Sequence, residues 1–173
     1  GLYILAVLLR FLLQQTRADF YNPVSQFLVK VTQPVLRPLR RVIPGVAGID
    51  LAAIVLLIVL QLVELLLVGL VQRGGMLPLA PMLVVAVAEL VDLTLNVFLV
   101  LIFIRVILSW VQPGYNPSAA IIYSLTDPIL RPAQRIIPPL GGLDLSPLLV
   151  LVVIQLLKML VLPPLAGLAQ AVA

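Results

Sequence analysis

Cysteine and histidine are both absent from this 173-residue chain. Their absence removes thiol nucleophiles, disulfides, iron–sulfur and axial haem ligation, the usual zinc ligands, and every Ser-His or Cys-His dyad. Charge is also scarce. Charged residues make up 10% of the chain, against about 25% in soluble domains. Seven carboxylates, eleven Lys or Arg and a few hydroxyls remain for chemistry, a thin repertoire that calls for no cofactor and no metal. The net charge of +4 is too small and too unevenly placed to argue for nucleic acid. What is abundant is apolar surface: 62% of residues are hydrophobic and the mean hydropathy is +1.22. A water-soluble domain of this size could not cover such a surplus, so lipid must replace the missing polar surface. The count of membrane spans then matters more than the length-based expectation of one domain.

Four apolar segments stand out. Residues 2–13 form a run of about 12, short of the roughly 20 that a spanning helix needs. That run has no basic stretch ahead of it and no small-residue cleavage site behind it, so it reads as part of a first span rather than a signal peptide. Residues 51–71, 82–110 and 145–162 are each long enough to cross about 30 Å of hydrocarbon. The third should tilt or protrude, and the fourth is expected to stop at Pro163-Pro164.

The connections differ in kind. Gln72 to Pro78 is a tight, glycine-bearing turn, whereas the other two connections are long, basic and punctuated by proline. Arg10, Arg17, Lys30, Arg37, Arg40, Arg41, Arg105, Arg131 and Arg135 lie in or beside those two, against Arg73 alone on the other side. By the positive-inside rule both long connections face the cytoplasm and both termini face out.

The long connections are copies of each other at an offset of 94 residues. Tyr21-Asn22-Pro23 returns as Tyr115-Asn116-Pro117, and Thr32-Gln33-Pro34-Val35-Leu36-Arg37-Pro38 as Thr126-Asp127-Pro128-Ile129-Leu130-Arg131-Pro132. Arg41, Pro44 and Asp50 return as Arg135, Pro138 and Asp144; Arg10 and Arg105 match only after a one-residue shift. The expected fold is an all-α membrane protein of about four transmembrane helices, as two tandem parallel repeats of span, basic amphipathic loop and span. Residues 1–72 form the first repeat with its loop at 17–49. Residues 73–81 connect it to the second repeat, 82–173, whose loop is 111–143.

Within each loop, Asn22-Pro23 and Asn116-Pro117 are helix starts, an N-cap followed by proline at the first helical position. The first helix is expected to put Phe27, Val31 and Leu28 on one face, and Pro34 and Pro128 are expected to end the helices. The result would be a broken helix in the headgroup layer, with Lys30, Arg37, Arg40, Arg41, Arg131 and Arg135 docking anionic lipid or a partner protein. A topology-setting anchor, a protein-docking surface and a re-entrant element are the alternatives. Trp110, Tyr115 and Tyr123 read as interface anchors.

These motifs, together with Asp19-Phe20-Tyr21-Asn22-Pro23, Pro38-Leu39-Arg40-Arg41-Val42-Ile43-Pro44 and Gly142-Leu143-Asp144-Leu145-Ser146-Pro147, resemble the YggT family of bacterial inner-membrane proteins, with YlmG-type relatives in Gram-positive bacteria and plastids. The first repeat departs from the pattern, with Ala52-Ala53 in place of Ser146-Pro147 and Gln33 in place of Asp127. The resemblance implies a small membrane protein of the cell inner membrane. It ties such proteins variously to osmotic or salt tolerance, to organisation of division or nucleoids, and in plastids to assembly of a cytochrome complex. It implies no catalytic residue.

Ionisable groups inside a membrane are costly and point to sites with a named partner. Adding 94 to Glu64 gives Lys158, and adding it to Gln61 gives Gln155. The expectation is a Glu64–Lys158 ion pair where the second and fourth spans meet, with Gln61 and Gln155 hydrogen-bonding beside it. Glu89, Asp92 and Asn96 share one face of the third span, at a depth similar to Glu64 and Lys158. A cation or proton path lined by Glu64, Glu89 and Asp92 is one alternative, and a contact with a charged partner subunit is another. The functional expectation is a non-enzymatic membrane scaffold or assembly factor, whose loops dock lipid and another membrane protein. Its rival is an ion-handling protein of osmotic stress, for which a narrow four-span bundle would need homo-oligomers.

Overall fold

A computed structural model describes residues 1–75, 78–111 and 119–172. Among them are six α-helices: α1 (Leu2–Gln15), α2 (Pro23–Val42), α3 (Leu51–Arg73), α4 (Leu79–Val111), α5 (Ala120–Ile136) and α6 (Ser146–Ala171). Three of these, α3, α4 and α6, are long and apolar enough to cross a membrane. Only 17%, 11% and 11% of their most apolar stretches is buried inside the protein. Helices apolar on all sides with so little of that surface covered have lipid as their natural solvent. At 1.5 Å per residue α4 is about 50 Å long, well beyond the hydrocarbon thickness, whereas the 14 residues of α1 reach only about 21 Å.

Packing centres on α4, which contacts α3, α5 and α6, while α1 packs on α2, α3 and α5. One core joins Val7 and Leu13 of α1, Leu28 and Leu36 of α2, Ala53 and Leu57 of α3, and Leu125 of α5. A smaller core joins Ile102 of α4, Leu130 and Ala133 of α5, and Val150 and Ile154 of α6. The amphipathic helices α2 and α5 are thus pinned to the spans by a narrow apolar stripe. Full burial of a leucine such as Leu36 contributes about 1.5–3 kcal/mol.

Three sequence expectations change here. First, α2 does not end at Pro34. It runs through Pro34 and Pro38, as α5 runs through Pro128 and Pro132. Each proline frees the carbonyl four residues earlier. Lys30, Pro34 and Pro38 form one exposed strip, so the carbonyls freed at Lys30 and Pro34 stay accessible to water or headgroups. Second, α6 continues past Pro163 and Pro164, both exposed, to Ala171. Third, the buried face of α2 is Ser25, Leu28, Thr32 and Leu36. Phe27 is exposed and Val31 only partly covered. Thr32 sits inward because it meets a buried arginine, described below, and Ser25 because it donates to the Asp19 carbonyl at 3.1 Å.

The start of α2 follows the sequence reading: Asn22 Oδ1 accepts from Val24 N at 2.9 Å, with Pro23 in the first helical turn. Asn116 and Pro117 lie outside the described residues. Beyond Pro44 and Pro138, α2 and α5 each turn back through a two-residue reversal. Val46 and Ile49 exchange backbone hydrogen bonds of 3.1 and 2.9 Å, and Leu140 and Leu143 do the same at 3.1 Å each. Both central residues of each reversal have positive φ, Ala47 (52°) and Gly48 (80°), and Gly141 (60°) and Gly142 (83°). Positive φ at both centres is the signature of a type I′ turn, which suits glycine. Ala47 adopts it without that advantage.

Candidate functional site

The polar side chains form two regions. Beside α2 and α5, one buried and one half-buried arginine clasp the amphipathic helices. Arg10 of α1 is 6% exposed. It donates to Thr32 Oγ1 at 2.7 Å, to Gln33 Oε1 at 2.6 Å and to the Val29 carbonyl at 3.3 Å. Arg105 of α4 donates to Thr126 Oγ1 at 2.7 Å and Asp127 Oδ1 at 2.5 Å, and lies 4.9 Å from the centre of the Tyr123 ring. Both threonines are fully buried and donate back to their own helix, Thr32 to the Leu28 carbonyl and Thr126 to that of Ile122. The planar guanidinium suits this double contact, as a lysine would not. Tyr123 is therefore a stacking partner of Arg105. Trp110 is exposed, and Tyr115 lies outside the described residues.

Sequence reasoning treated Arg10 and Arg105 as flanking charges and missed the clasps. The signal was present: Thr32 and Thr126 recur at the common offset, and the shift of one residue at Arg10 is absorbed before α2 and α5 begin.

Not every basic residue of these helices is free to dock a ligand. Arg40 pairs with the buried carboxylate of Asp50, and its Nη2 donates to Gln14 Oε1 at 3.0 Å. Arg40 thus ties α2 to the start of α3. At the matching positions Gln134 donates to Asp144 Oδ2 at 2.9 Å, a neutral donor in place of a cation. Asp50 and Asp144 also accept backbone N–H groups at the starts of α3 and α6, from Ala53 at 3.2 Å and Ser146 at 2.9 Å. Burial pushes the Asp144 carboxyl upward, but hydrogen bonds from Ser146 and Gln134 and the Arg105 charge outweigh it and hold its pKa below the usual value.

Lys30, Arg37 and Arg41 are exposed and line one cleft with Gln33, Pro34 and Pro38. Arg131 and Arg135 are also exposed, and Arg131 lies 3.6 Å from Asp127.

The second region gathers the polar residues of the spans. Lys158 Nζ lies 2.9 Å from Asp92 Oδ1 and 2.6 Å from Asn96 Oδ1, and Asn96 Nδ2 donates to Asp92 at 2.9 Å. Gln61, 6% exposed, donates to Glu89. Glu64 pairs with the amino group of Gly1. The expected Glu64–Lys158 pair does not form, because α6 packs on α4 and α4 supplies the partners. Gln155 is exposed rather than turned toward Gln61. Glu64, Glu89, Asp92, Gln61 and Asn96 do line one cleft of about 580 Å³. Among the described residues no group of three acidic side chains is arranged to hold a metal ion.

A family model described as CCB3/YggT matches residues 1–71 and 78–165. A Pseudomonas aeruginosa protein, PA0392, is 47% identical over 171 residues, 96% of this chain and 86% of its own length. The Escherichia coli protein YggT is 38% identical over 159 residues, 91% of this chain and 82% of its own length. The ycf19 protein of Guillardia theta is 40% identical over 70 residues, 39% of this chain but 76% of that protein. No solved structure matches.

Proposed function

The chain belongs to the CCB3/YggT family, and from that membership we propose that it is a non-enzymatic scaffold or assembly factor of the bacterial inner membrane. In this reading α1, α3, α4 and α6 are four spans arranged as two parallel units, and α2 and α5 lie along the cytoplasmic face, where they dock anionic lipid and another membrane protein. One observation carries it. Each amphipathic helix is fastened inward through a buried threonine to a span arginine, while Lys30, Arg37, Arg41, Arg131 and Arg135 stay exposed on its outer face. A helix held on one side and basic on the other is built to present a surface, not to enclose a substrate.

Extraction of the full chain in a gentle detergent, followed by identification of co-eluting proteins, tests the role. The expected result is a stoichiometric membrane-protein partner. Orientation is tested by a reporter active only outside the cell. Fused between Arg37 and Arg41 or between Arg131 and Arg135 it should be silent, and fused at Gly74-Gly75 it should be active. The reverse pattern would overturn the orientation.

A second reading, an ion-handling protein of osmotic or salt stress, rests on the cleft shared by Glu64, Glu89, Asp92, Gln61 and Asn96. A homo-oligomer with no other partner on gentle extraction favours it over the scaffold.

A further inference from the structure

We propose that the groove between α2 and α3 is a binding site for a single anionic phospholipid, and that the matching groove between α5 and α6 has lost its selectivity for a negative headgroup. The inference rests on the reading above that α2 and α5 lie at the membrane face.

The first groove, about 470 Å³, is lined by Val35, Leu39, Val42, Val55, Leu56 and Val59. Of these, Val42 is 80% exposed and Val59 48%, a surface that only an apolar occupant would cover favourably. Pro38 lines both this groove and the basic cleft of Lys30, Arg37 and Arg41, so one wall runs unbroken from hydrocarbon-like surface to three cations. None of the three pairs with a carboxylate among the described residues. A soluble anion would satisfy the cations and make no use of the apolar groove; a neutral lipid would do the reverse. A phosphodiester joined to acyl chains satisfies both. Guanidinium groups suit phosphate oxygens because two parallel N–H bonds can form.

The second groove repeats six positions of the apolar half, and Thr94, Leu95 and Phe98 of α4 line it as well. Ile129, Ala133, Ile136, Leu149, Val150 and Val153 line about 420 Å³, and each stands 94 residues after its counterpart in the first. The headgroup end differs. Ser124 stands where Lys30 does, and Asp127 stands where Gln33 does, with its carboxylate 3.6 Å from Arg131. Three free cations have become two, one of them beside a carboxylate that also binds Arg105. The duplicated groove keeps room for an acyl chain but loses most of the attraction for an anion.

The test uses the full chain in mild detergent, with phosphatidylglycerol or phosphatidylcholine added and bound lipid counted per chain by native mass spectrometry. One phosphatidylglycerol should be retained in preference to phosphatidylcholine. R37Q/R41Q should weaken retention roughly thirtyfold, from the attraction typical of two basic residues at an anionic surface. V59W, which fills the groove and leaves every cation in place, should also abolish it. R131Q/R135Q should leave it unchanged. Equal retention of the two lipids, displacement by sodium phosphate, or equal loss in R131Q/R135Q would each overturn the proposal. A partner that co-purifies with a chain retaining no anionic lipid overturns this inference and leaves the scaffold reading standing. Retained lipid with no partner does the opposite.

Discussion

Lys158 reaches across to Asp92, 2.9 Å away, and to Asn96, so that the one cation of α6 is held by α4. The contact ties the last helix to the central one. The first prediction concerns this pair. Lys158→Met alone strands Asp92, and Asp92→Asn alone strands Lys158; each should cost about 1–3 kcal/mol, and the double variant less than their sum. Glu64→Gln combined with Lys158→Met should be additive. Thermal unfolding in detergent reads all of these variants. Coupling between Glu64 and Lys158 would contradict the arrangement.

Arg10 and Arg105 make matching clasps with different chemistry, because Arg10 meets neutral Thr32 and Gln33 and Arg105 meets Asp127. Arg10→Lys should lose much of the stability that Arg10→Met loses, since an ammonium cannot reproduce the fork. Thr32→Val, which removes the buried hydroxyl and leaves Arg10 one partner short, should cost about 1–3 kcal/mol. Melting temperature checks both. An Arg10→Lys variant as stable as the parent would mean that charge alone matters at this position.

Ala47 holds a φ of 52° where the second reversal has Gly141 at 60°. A left-handed conformation costs a non-glycine residue roughly 1–2 kcal/mol. Ala47→Gly should therefore raise stability, by up to about 1 kcal/mol once glycine's greater freedom in the unfolded chain is counted. Gly141→Ala should lower it by a similar amount. Opposite signs in a melting experiment would mean that neither turn is strained.

Asp144 binds its proton less readily in the folded chain than its ordinary value implies. The stabilisation from its charged form is present above the unfolded carboxyl pKa, about 3.9, and is lost as pH falls through the depressed folded value. Stability measured downward from neutral pH should stay level to the carboxylate range and then fall. Asp144→Asn should flatten that part of the fall. The side chain is largely solvent-exposed, so the change is a modest slope and not a collapse.

The sequence carried the repeat plainly, because prolines, threonines and glycines at fixed spacing mark turns and caps whatever the packing. It also marked the start of α2 at Asn22, the apolar runs of α3 and α4, and the start of α6. It misread the helices at Pro34 and Pro128 because the rule that proline ends a helix counts the lost hydrogen bond and ignores where the freed carbonyl points. On the outer face of α2 that carbonyl is not orphaned. The partner of Lys158 was hidden for a different reason. Arithmetic on the repeat assumes that equivalent positions face each other across an axis, but α4 packs on both α3 and α6 and supplies the partners of Lys158. Arg40 and Arg41 are adjacent in sequence with opposite fates, one held by Asp50 and one exposed. Only the register of α2 against α3 separates them.

The internal prolines of α2 also make its helix depend on its neighbours. A helix carrying two of them forfeits about 3 kcal/mol at each, relative to alanine, and a 20-residue segment so burdened does not hold a helix alone in water. It forms where Leu28, Thr32 and Leu36 already have α1 and α3 to lie against. The cationic strip therefore depends on α1 and α3 being in place beneath α2. Without the helix, Lys30, Arg37 and Arg41 share no common face. The surface that a lipid or a partner would recognise becomes a certificate of completed folding, one that a half-inserted chain cannot display.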